Sequence, residues 1–527
     1  MKKEKKKIKN ALFGGALSLT VGTLIVKLLG LIYKIPIASI LGELGMGYFN
    51  TAYTLFSVFY LLATAGVPKA IMIVVAEITG DEQSQRSTIA RTVRIALAFF
   101  IPLGFIFSLL LLLLAGPLSS LIGNRGAALT VAVIAPSIVA VAAAGVIRGL
   151  LSAEQRLGAI AVSQIIEGSF KLAAGLILGG VASRGGLPQE LVSAFAVAGV
   201  TIGSFSGLIY LYLIAKNSIW ADKTRQERVV SIDKPSILKK IFSISVPVTL
   251  SAAVMSITNL IDLSQIMRGL ISSGINGNQA TAMYGNYTTG ALSIFNLAIA
   301  LITPISIAHI PLITEARAKG LSPIEKVRSS IYVSAMLSVP ISLGAYMYSE
   351  EIIRLLFPGL DPVLGGSLLR SVAPGIILMS AIINVNSSLE ALGRQSVPVI
   401  SMLAASAVKL ISGAALLEKT ELGILSAPIS TVISYVIALI ISTSALTKAL
   451  GKSPKITAGH IKPFLITTVS AVPVKLLYNR MMEGVGEAAA LLISVGITVL
   501  IYAFLNYLSG SFKEIRAGMM SKSTNFA

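Results

Sequence analysis

The chain is 527 residues long, 54% hydrophobic and only 13% charged, with 43 Lys+Arg against 23 Asp+Glu for a formal net charge of +20. A soluble domain carries roughly twice that charged fraction, so water is not the main solvent, and the charge excess needs a reading other than nucleic-acid binding. There is no Cys, and His309 and His460 are the two histidines, which excludes disulfide and thiolate chemistry and a histidine-built metal site. The opening MKKEKKKIKN precedes an apolar run that continues well past a signal-peptide core without a cleavage site, so it leads into a retained first helix. A bilayer core of roughly 30 Å needs about 20 apolar residues per helix. Fourteen such spans are predicted: 11–38, 46–78, 90–115, 127–150, 158–182, 190–216, 238–271, 280–314, 325–349, 366–390, 396–417, 424–446, 461–480 and 486–508. Pro68, Pro136, Pro247, Pro304 and Pro374 fall inside spans, where neighbouring helices can satisfy the freed backbone groups.

With the N-terminus in the cytoplasm and the loops alternating, about 30 of the 43 Lys+Arg fall on cytoplasmic segments, about 5 on external ones and about 8 inside spans. The basic segments include 79–94, 216–240, 315–328 and 447–462, whereas the external loops hold Arg125, Arg184, Arg354, Lys419 and Arg480. The charge excess is therefore a topology signal that places both termini in the cytoplasm, and no nucleic-acid partner is expected.

The chain also matches itself. VIAPSIV at 133–139 resembles SVAPGII at 371–377, and the same offset of 238 pairs Arg156 with Arg394, Lys171-Leu172 with Lys409-Leu410, and Gly175 with Gly413. Six spans separate the copies, an even number, so both share one orientation. The predicted fold is an all-α polytopic membrane protein with two parallel six-helix lobes and two added C-terminal helices, an architecture of transporters. Its segments are a basic N-terminus (1–10), a first lobe (11–216), a linker (217–237), a second lobe (238–446), a loop (447–460), helices thirteen and fourteen (461–508) and a tail (509–527).

No phosphate-binding loop is present: Gly451-Lys452-Ser453 has the tail of one, but Leu446 stands where its first glycine is required. HExxH and G-x-S-x-G are absent too. No cofactor is implied, and an electrochemical gradient, worth about 2.3 kcal/mol per charge per 100 mV, is the simplest energy source.

The intramembrane charges carry the functional argument, because each costs about 2.5–3.5 kcal/mol or more at the bilayer centre unless it faces water or a partner. Lys27 and Lys34 lie seven residues apart, which sets them on one helix face about 10 Å apart. Lys69 follows Pro68, well inside its span, and Arg268 lies six residues after Asp262. For Lys34, Arg268, Arg370 and Lys475, each close to a span end, snorkelling to the interface competes with a ligand role. Lys171 has Glu167 one turn earlier, so an intrahelical ion pair competes with a ligand contact, whereas Lys409 has no acid so placed. Asp262 is expected to pair with Arg268 or a lysine in preference to binding a coupling cation, and His309 reads as structural. Cations outnumber deep acids, which suits an anionic cargo such as phosphate or pyrophosphate and suits an organic cation poorly.

At these residues the sequence resembles a known group. VKLLGLIYKIPIASILGELGMGYFNTAYTLFSVFYLLATAGVPKAI (26–71) is similar to the opening of the stage V sporulation protein B and lipid II flippase group, within the multidrug/oligosaccharidyl-lipid/polysaccharide exporter superfamily. NLIDLSQIMRGL (259–270), YGNYTTGALSIFN (284–296) and LEALGRQSVPV (389–399) extend the similarity. The resemblance implies fourteen helices in two lobes, residence in a bacterial cytoplasmic membrane, and alternating-access movement of an undecaprenyl-pyrophosphate-linked sugar, without enzymatic chemistry. It implies that Lys27 stands where a pyrophosphate-binding arginine is expected and Lys34 close to a second, a swap that keeps the charge but loses bidentate geometry. It further implies that the last two helices form a groove for the lipid tail. The expected headgroup site is Lys27, Lys34 and Lys69, faced by Arg268 and Asp262, with Lys171, Glu167, Lys409 and Arg370 as secondary charges. Membrane lipids and cell-wall synthesis proteins are the other expected partners. The rival readings are a drug/cation antiporter of the same superfamily, a scaffold for a cell-wall synthase and, weakest, a membrane glycosyltransferase.

Overall fold

The computed structural model describes the backbone of residues 2–64, 66–79, 85–220, 234–419 and 421–511. These fold as α1 (Lys2–Thr64), α2 (Val67–Thr79), α3 (Gln85–Ile122), α4 (Ala128–Ile134), α5 (Ser137–Ala153), α6 (Leu157–Arg184), α7 (Gln189–Ile219), α8 (Lys234–Ser272) and α9 (Gly277–Gly285). A π-helical stretch, Asn286–Ala291, leads into α10 (Leu292–Ala318), α11 (Ile324–Met347), α12 (Ser349–Leu356), α13 (Pro362–Val372), α14 (Pro374–Ala391), α15 (Ser396–Lys419), α16 (Ser426–Leu450), α17 (Ile456–Val485) and α18 (Glu487–Leu508). Among the described residues there is no strand, so the all-α expectation holds.

Eleven of these helices, among the described residues, are long and apolar enough to cross a membrane, or twelve if one bent pair counts as a span. Three of the fourteen expected spans account for the difference. The first two fall in one run, Ile32–Ile78, the fourth is the bent pair Arg125–Ile134 and Ser137–Ala153, and α8, the seventh, is not among the eleven. The side chains of residues 11–29 of the first and 250–255 of the seventh lie outside the described residues. The merged run is nonetheless broken: Gly42 takes φ 59°, which a residue with a Cβ adopts only at a cost, so α1 changes direction there.

The internal repeat is visible in the backbone. Pro136 separates α4 from α5 with a 40° bend, and Pro374, 238 residues on, opens α14 directly after α13. A proline has no N–H to donate and its ring crowds the preceding turn, so both copies break at the same place. Both copies then close with one helix-ending turn. Arg156 N–H donates to the Leu151 carbonyl at 2.8 Å and Arg394 N–H to the Leu389 carbonyl at 2.8 Å, with Gln155 (φ 58°) and Gly393 (φ 76°) in the left-handed region.

The chain packs as two units, Met1–Arg268 with Asn276–Ala282, and Gly269–Ile275 with Met283–Ala527. In the first unit, α6 and α7 meet along a seam of small residues. A Cβ on Gly199 would lie 2.4 Å from the Gly175 nitrogen, and one on Gly203 would lie 2.5 Å from the Glu167 carbonyl oxygen. Such contact lets two helices approach backbone to backbone, the chief source of attraction where lipid removes the hydrophobic driving force. At the α1–α2 break, Gly66 sits against the Ser245 backbone of α8 and donates its N–H to Thr249 Oγ1 at 3.0 Å.

In the second unit, Asn384 of α14 anchors the polar core, accepting from Ser330 at 2.7 Å and Ser334 at 3.2 Å. The α17–α18 hairpin is fastened to α12 by charge. Lys475 donates to Glu351 at 2.5 Å and lies 4.2 Å from the Tyr348 ring centroid and 4.7 Å from that of Tyr478, while Arg354 bridges Glu350 (2.5 Å) and Glu487 (3.2 Å). Lys475 is thus held by a partner within the protein, which is neither the snorkelling nor the ligand role weighed for it.

Gly199→Val should lower the thermal midpoint of the solubilised protein, by the equivalent of about 1–3 kcal/mol. Gly158→Ala, where nothing lies within 4 Å, should leave it unchanged or slightly raised. Equal midpoints for the two variants would contradict the seam.

Candidate functional site

Three charged residues of the first unit, Arg148, Glu167 and Lys171, meet at α6. Glu167 and Lys171 stand one helical turn apart, and the missing Cβ atoms of Gly203 and Gly207 on α7 make room for their stems: a Cβ there would lie 3.0 Å from Lys171 Cβ and 3.1 Å from Glu167 Cβ. From this shared base the two side chains reach different helices. Arg148 Nη2 of α5 donates to Glu167 Oε2 at 2.7 Å, with 17% and 30% of the two side chains exposed. Lys171 Nζ donates to the Tyr53 hydroxyl at 2.9 Å and lies 4.7 Å from the Tyr53 ring centroid and 5.4 Å from that of Tyr33. The quadrupole of an aromatic face attracts a cation at these distances, so two α1 tyrosines hold the ammonium without neutralising it.

Lys34 is the next residue after Tyr33, half-buried and close enough to Lys171 for the two charges to repel. Tyr33 itself donates to the Ala196 carbonyl at 3.4 Å and packs tilted against Phe49, which stacks on Tyr53, with centroid separations of 6.1 and 5.8 Å. Arg148 and Glu167 cancel, so the carboxylate one turn from Lys171 is not available to neutralise it, and Lys34 brings a second positive charge close by. Like charges brought together where water is scarce repel more strongly than they would in water. An anion placed against both would relieve that repulsion, and an organic cation would add to it. Among the described residues no group of three His, Asp or Glu side chains offers a metal site.

The other expected site residues lie elsewhere. Lys69 is exposed at the first turn of α2, and the Lys27 side chain lies outside the described residues, although its backbone is helical. Arg268 donates through Nε (2.7 Å) and Nη2 (2.5 Å) to the Leu121 carbonyl at the end of α3, a helix-capping contact that also draws on the helix dipole. Asp262 is half-buried on α8. In the second unit, Lys409 is half-buried on α15 and Arg370 is exposed on the last turn of α13. His309 is buried, its Nδ1 2.8 Å from the Ile305 carbonyl. Of the two alternatives for Lys171, the intrahelical pair is not formed: Glu167 is taken by Arg148. Sequence reasoning missed Arg148 because it stands at the end of its predicted span, 19 residues before Glu167, and only the packing of α5 on α6 joins them.

Comparison with known proteins agrees with this picture. The family model described as "Polysaccharide biosynthesis protein" matches residues 12–317. Lipid II flippase MurJ of Bacillus subtilis (strain 168) is 23% identical over 543 residues, covering 96% of both chains. Stage V sporulation protein B of the same organism is 23% identical over 505 residues, covering 94% of this chain and 95% of the relative. A solved structure of lipid II flippase MurJ in an inward closed conformation superimposes with a TM-score of 0.70 at 15% identity, over 94% of this chain and 99% of that one. An inward-facing multidrug resistance MATE family transporter of the MOP superfamily does so with 0.62 at 17% identity, over 84% of this chain and 98% of that one. These structures share the fold, and the resemblance carried by residues 26–71 is borne out.

Truncating Arg148 leaves the Glu167 carboxylate without its partner in a half-buried setting, whereas Arg156 pairs with Glu154 at an exposed turn. Arg148→Leu should therefore destabilise by about 1–3 kcal/mol and Arg156→Leu by less than about 1 kcal/mol, read as the difference between their thermal midpoints. The reverse order would contradict the placement of the pair.

Proposed function

The chain belongs to the polysaccharide biosynthesis protein family, and from that premise we propose that it is a flippase moving a polyprenyl-pyrophosphate-linked saccharide across a bacterial cytoplasmic membrane by alternating access. The relatives include a lipid II flippase and a sporulation protein, and its structural neighbours are membrane transporters, so a membrane transporter without enzymatic chemistry is the common denominator. The observation that carries the finer reading is the Lys34–Lys171 pair: two like charges close enough to repel, with the carboxylate one turn from Lys171 already bound by Arg148. A pyrophosphate brings matching negative charge, and lysine ammonium groups bind it as point charges. Lys27 and Lys69, on the same α1–α2 segment, are proposed to complete the headgroup site. Arg268 enters as a helix-end contact because two of its donors already serve Leu121. Both termini are proposed to be cytoplasmic, from the distribution of Lys and Arg over the loops.

The multidrug transporters share the fold, so charge and not fold separates the two readings. An exporter of cationic drugs needs an exposed carboxylate where its cargo sits, and Glu167, bound to Arg148, is poorly suited to that task.

In proteoliposomes, replacing both lysines (Lys34→Ala with Lys171→Ala) should slow translocation of a polyprenyl-pyrophosphate sugar lipid by about tenfold or more, the loss expected for charge-assisted hydrogen bonds. Arginine at both positions should retain most of the rate. Unchanged translocation in the double alanine variant would overturn the site.

A further inference from the structure

We propose that the end of the first unit where α3, α7 and α8 converge is a docking site for the headgroup of an anionic phospholipid, separate from the Lys34–Lys171 site. The three helices meet in one apolar cluster that includes Val93 and Phe100 of α3, Ile219 of α7 and Ile241 of α8, and the Phe242 ring packs edge-on against Phe99 with centroids 5.1 Å apart. Above that cluster the side chains are basic. Arg94, Lys216 and Lys239 are exposed, Arg91 is half-buried, and the Arg94 guanidinium lies 5.8 Å from the centroid of the Trp220 ring. Two ion pairs at this end, Lys240–Glu77 and Arg156–Glu154, take up those two acids among the described residues. Arg94, Lys216 and Lys239 face outward beside these pairs.

One face of α7 fixes the depth of this patch. Ile202, Phe205, Ile209 and Tyr212 are all exposed and recur every three or four residues, and the series continues through Lys216 to Trp220, which is 57% exposed. Eighteen residues of helix span about 27 Å. An apolar stripe that turns to Tyr, Lys and then Trp passes from acyl chains to headgroups, the level at which amphipathic aromatic rings settle. A phospholipid lying along the stripe would set its phosphate beside Lys216 and Arg94. A zwitterionic headgroup adds its own cation to a patch already rich in them, so the charge selects an anionic one, with roughly fivefold enrichment for each lysine or arginine at the surface.

Trp220 is the chain's one tryptophan, so its fluorescence reads this site alone. With the full-length protein in bilayers of mixed phosphatidylcholine and phosphatidylglycerol, phosphatidylglycerol brominated on its acyl chains should quench Trp220 several-fold more than phosphatidylcholine brominated the same way at equal mole fraction. Lys216→Gln with Arg94→Gln should erase that preference. Raising salt to molar concentration should weaken it in the wild type, where no folding defect can intervene. Equal quenching by both brominated lipids, or a preference indifferent to both the substitutions and salt, would overturn the proposal. No transported substrate enters this measurement, so its outcome is independent of the flippase reading.

Discussion

Lys171 carries its charge on a helix that must cross roughly 30 Å of hydrocarbon, and much of the first unit is arranged around what that requires. An ammonium there needs donors' partners and a polarisable wall. Tyr53 supplies the hydroxyl, and the faces of Tyr33 and Tyr53 supply the wall. Glu167, which a simple helix would have offered as the counter-ion, is held instead by Arg148 from α5. Lys171 is therefore accommodated but not neutralised by Glu167, and the positive charge of Lys34 lies close to it. Accommodation without neutralisation is what distinguishes a binding site from a structural ion pair.

That arrangement rests on close helix packing. Gly199, Gly203 and Gly207 bring α7 against α6 at the turns that carry Glu167 and Lys171, and Gly175 lets the Tyr33 ring lie against α6, where a Cβ would stand 2.8 Å from its hydroxyl. In the second unit the repeat retains the proline break, the helix-ending turn and a lysine at 409, but not a carboxylate one turn before it. The two units thus share a backbone plan and differ in charge. The C-terminal hairpin, outside the repeat, is fastened by Lys475–Glu351 and Arg354–Glu487. Lys475 on α17 is compatible with a membrane setting because Glu351 pairs with it.

The spans, the repeat and the transporter class were legible in the sequence because each is written in local terms: apolar run length, prolines at a fixed offset, lysine and arginine counts on loops. The boundary between the first two predicted spans, after residue 38 and before residue 46, brackets the break at Gly42. The dihedral angle that makes it was not legible, since a single glycine in an apolar helix signals none in particular. Candidate charges were identifiable one at a time, but their grouping was not. The sequence pointed to Lys171 and Glu167 as one another's partners by spacing alone, and the arginine that takes Glu167 comes from a neighbouring helix whose rotation no periodicity reveals. Arg268 illustrates the converse: a cation at a span end that binds a helix carbonyl is indistinguishable in sequence from one that awaits a ligand.

The central claim is that the first unit is selective for a lipid-borne anion. Equilibrium binding of the purified protein to a polyprenyl-pyrophosphate sugar lipid and to a cationic drug, in wild type and in Lys34→Ala, tests it most directly. The account predicts binding of the lipid, weakened about tenfold in the variant, and no binding of the drug. Drug binding with indifference to the lipid would contradict it and would place the protein with the cation exporters that share its fold.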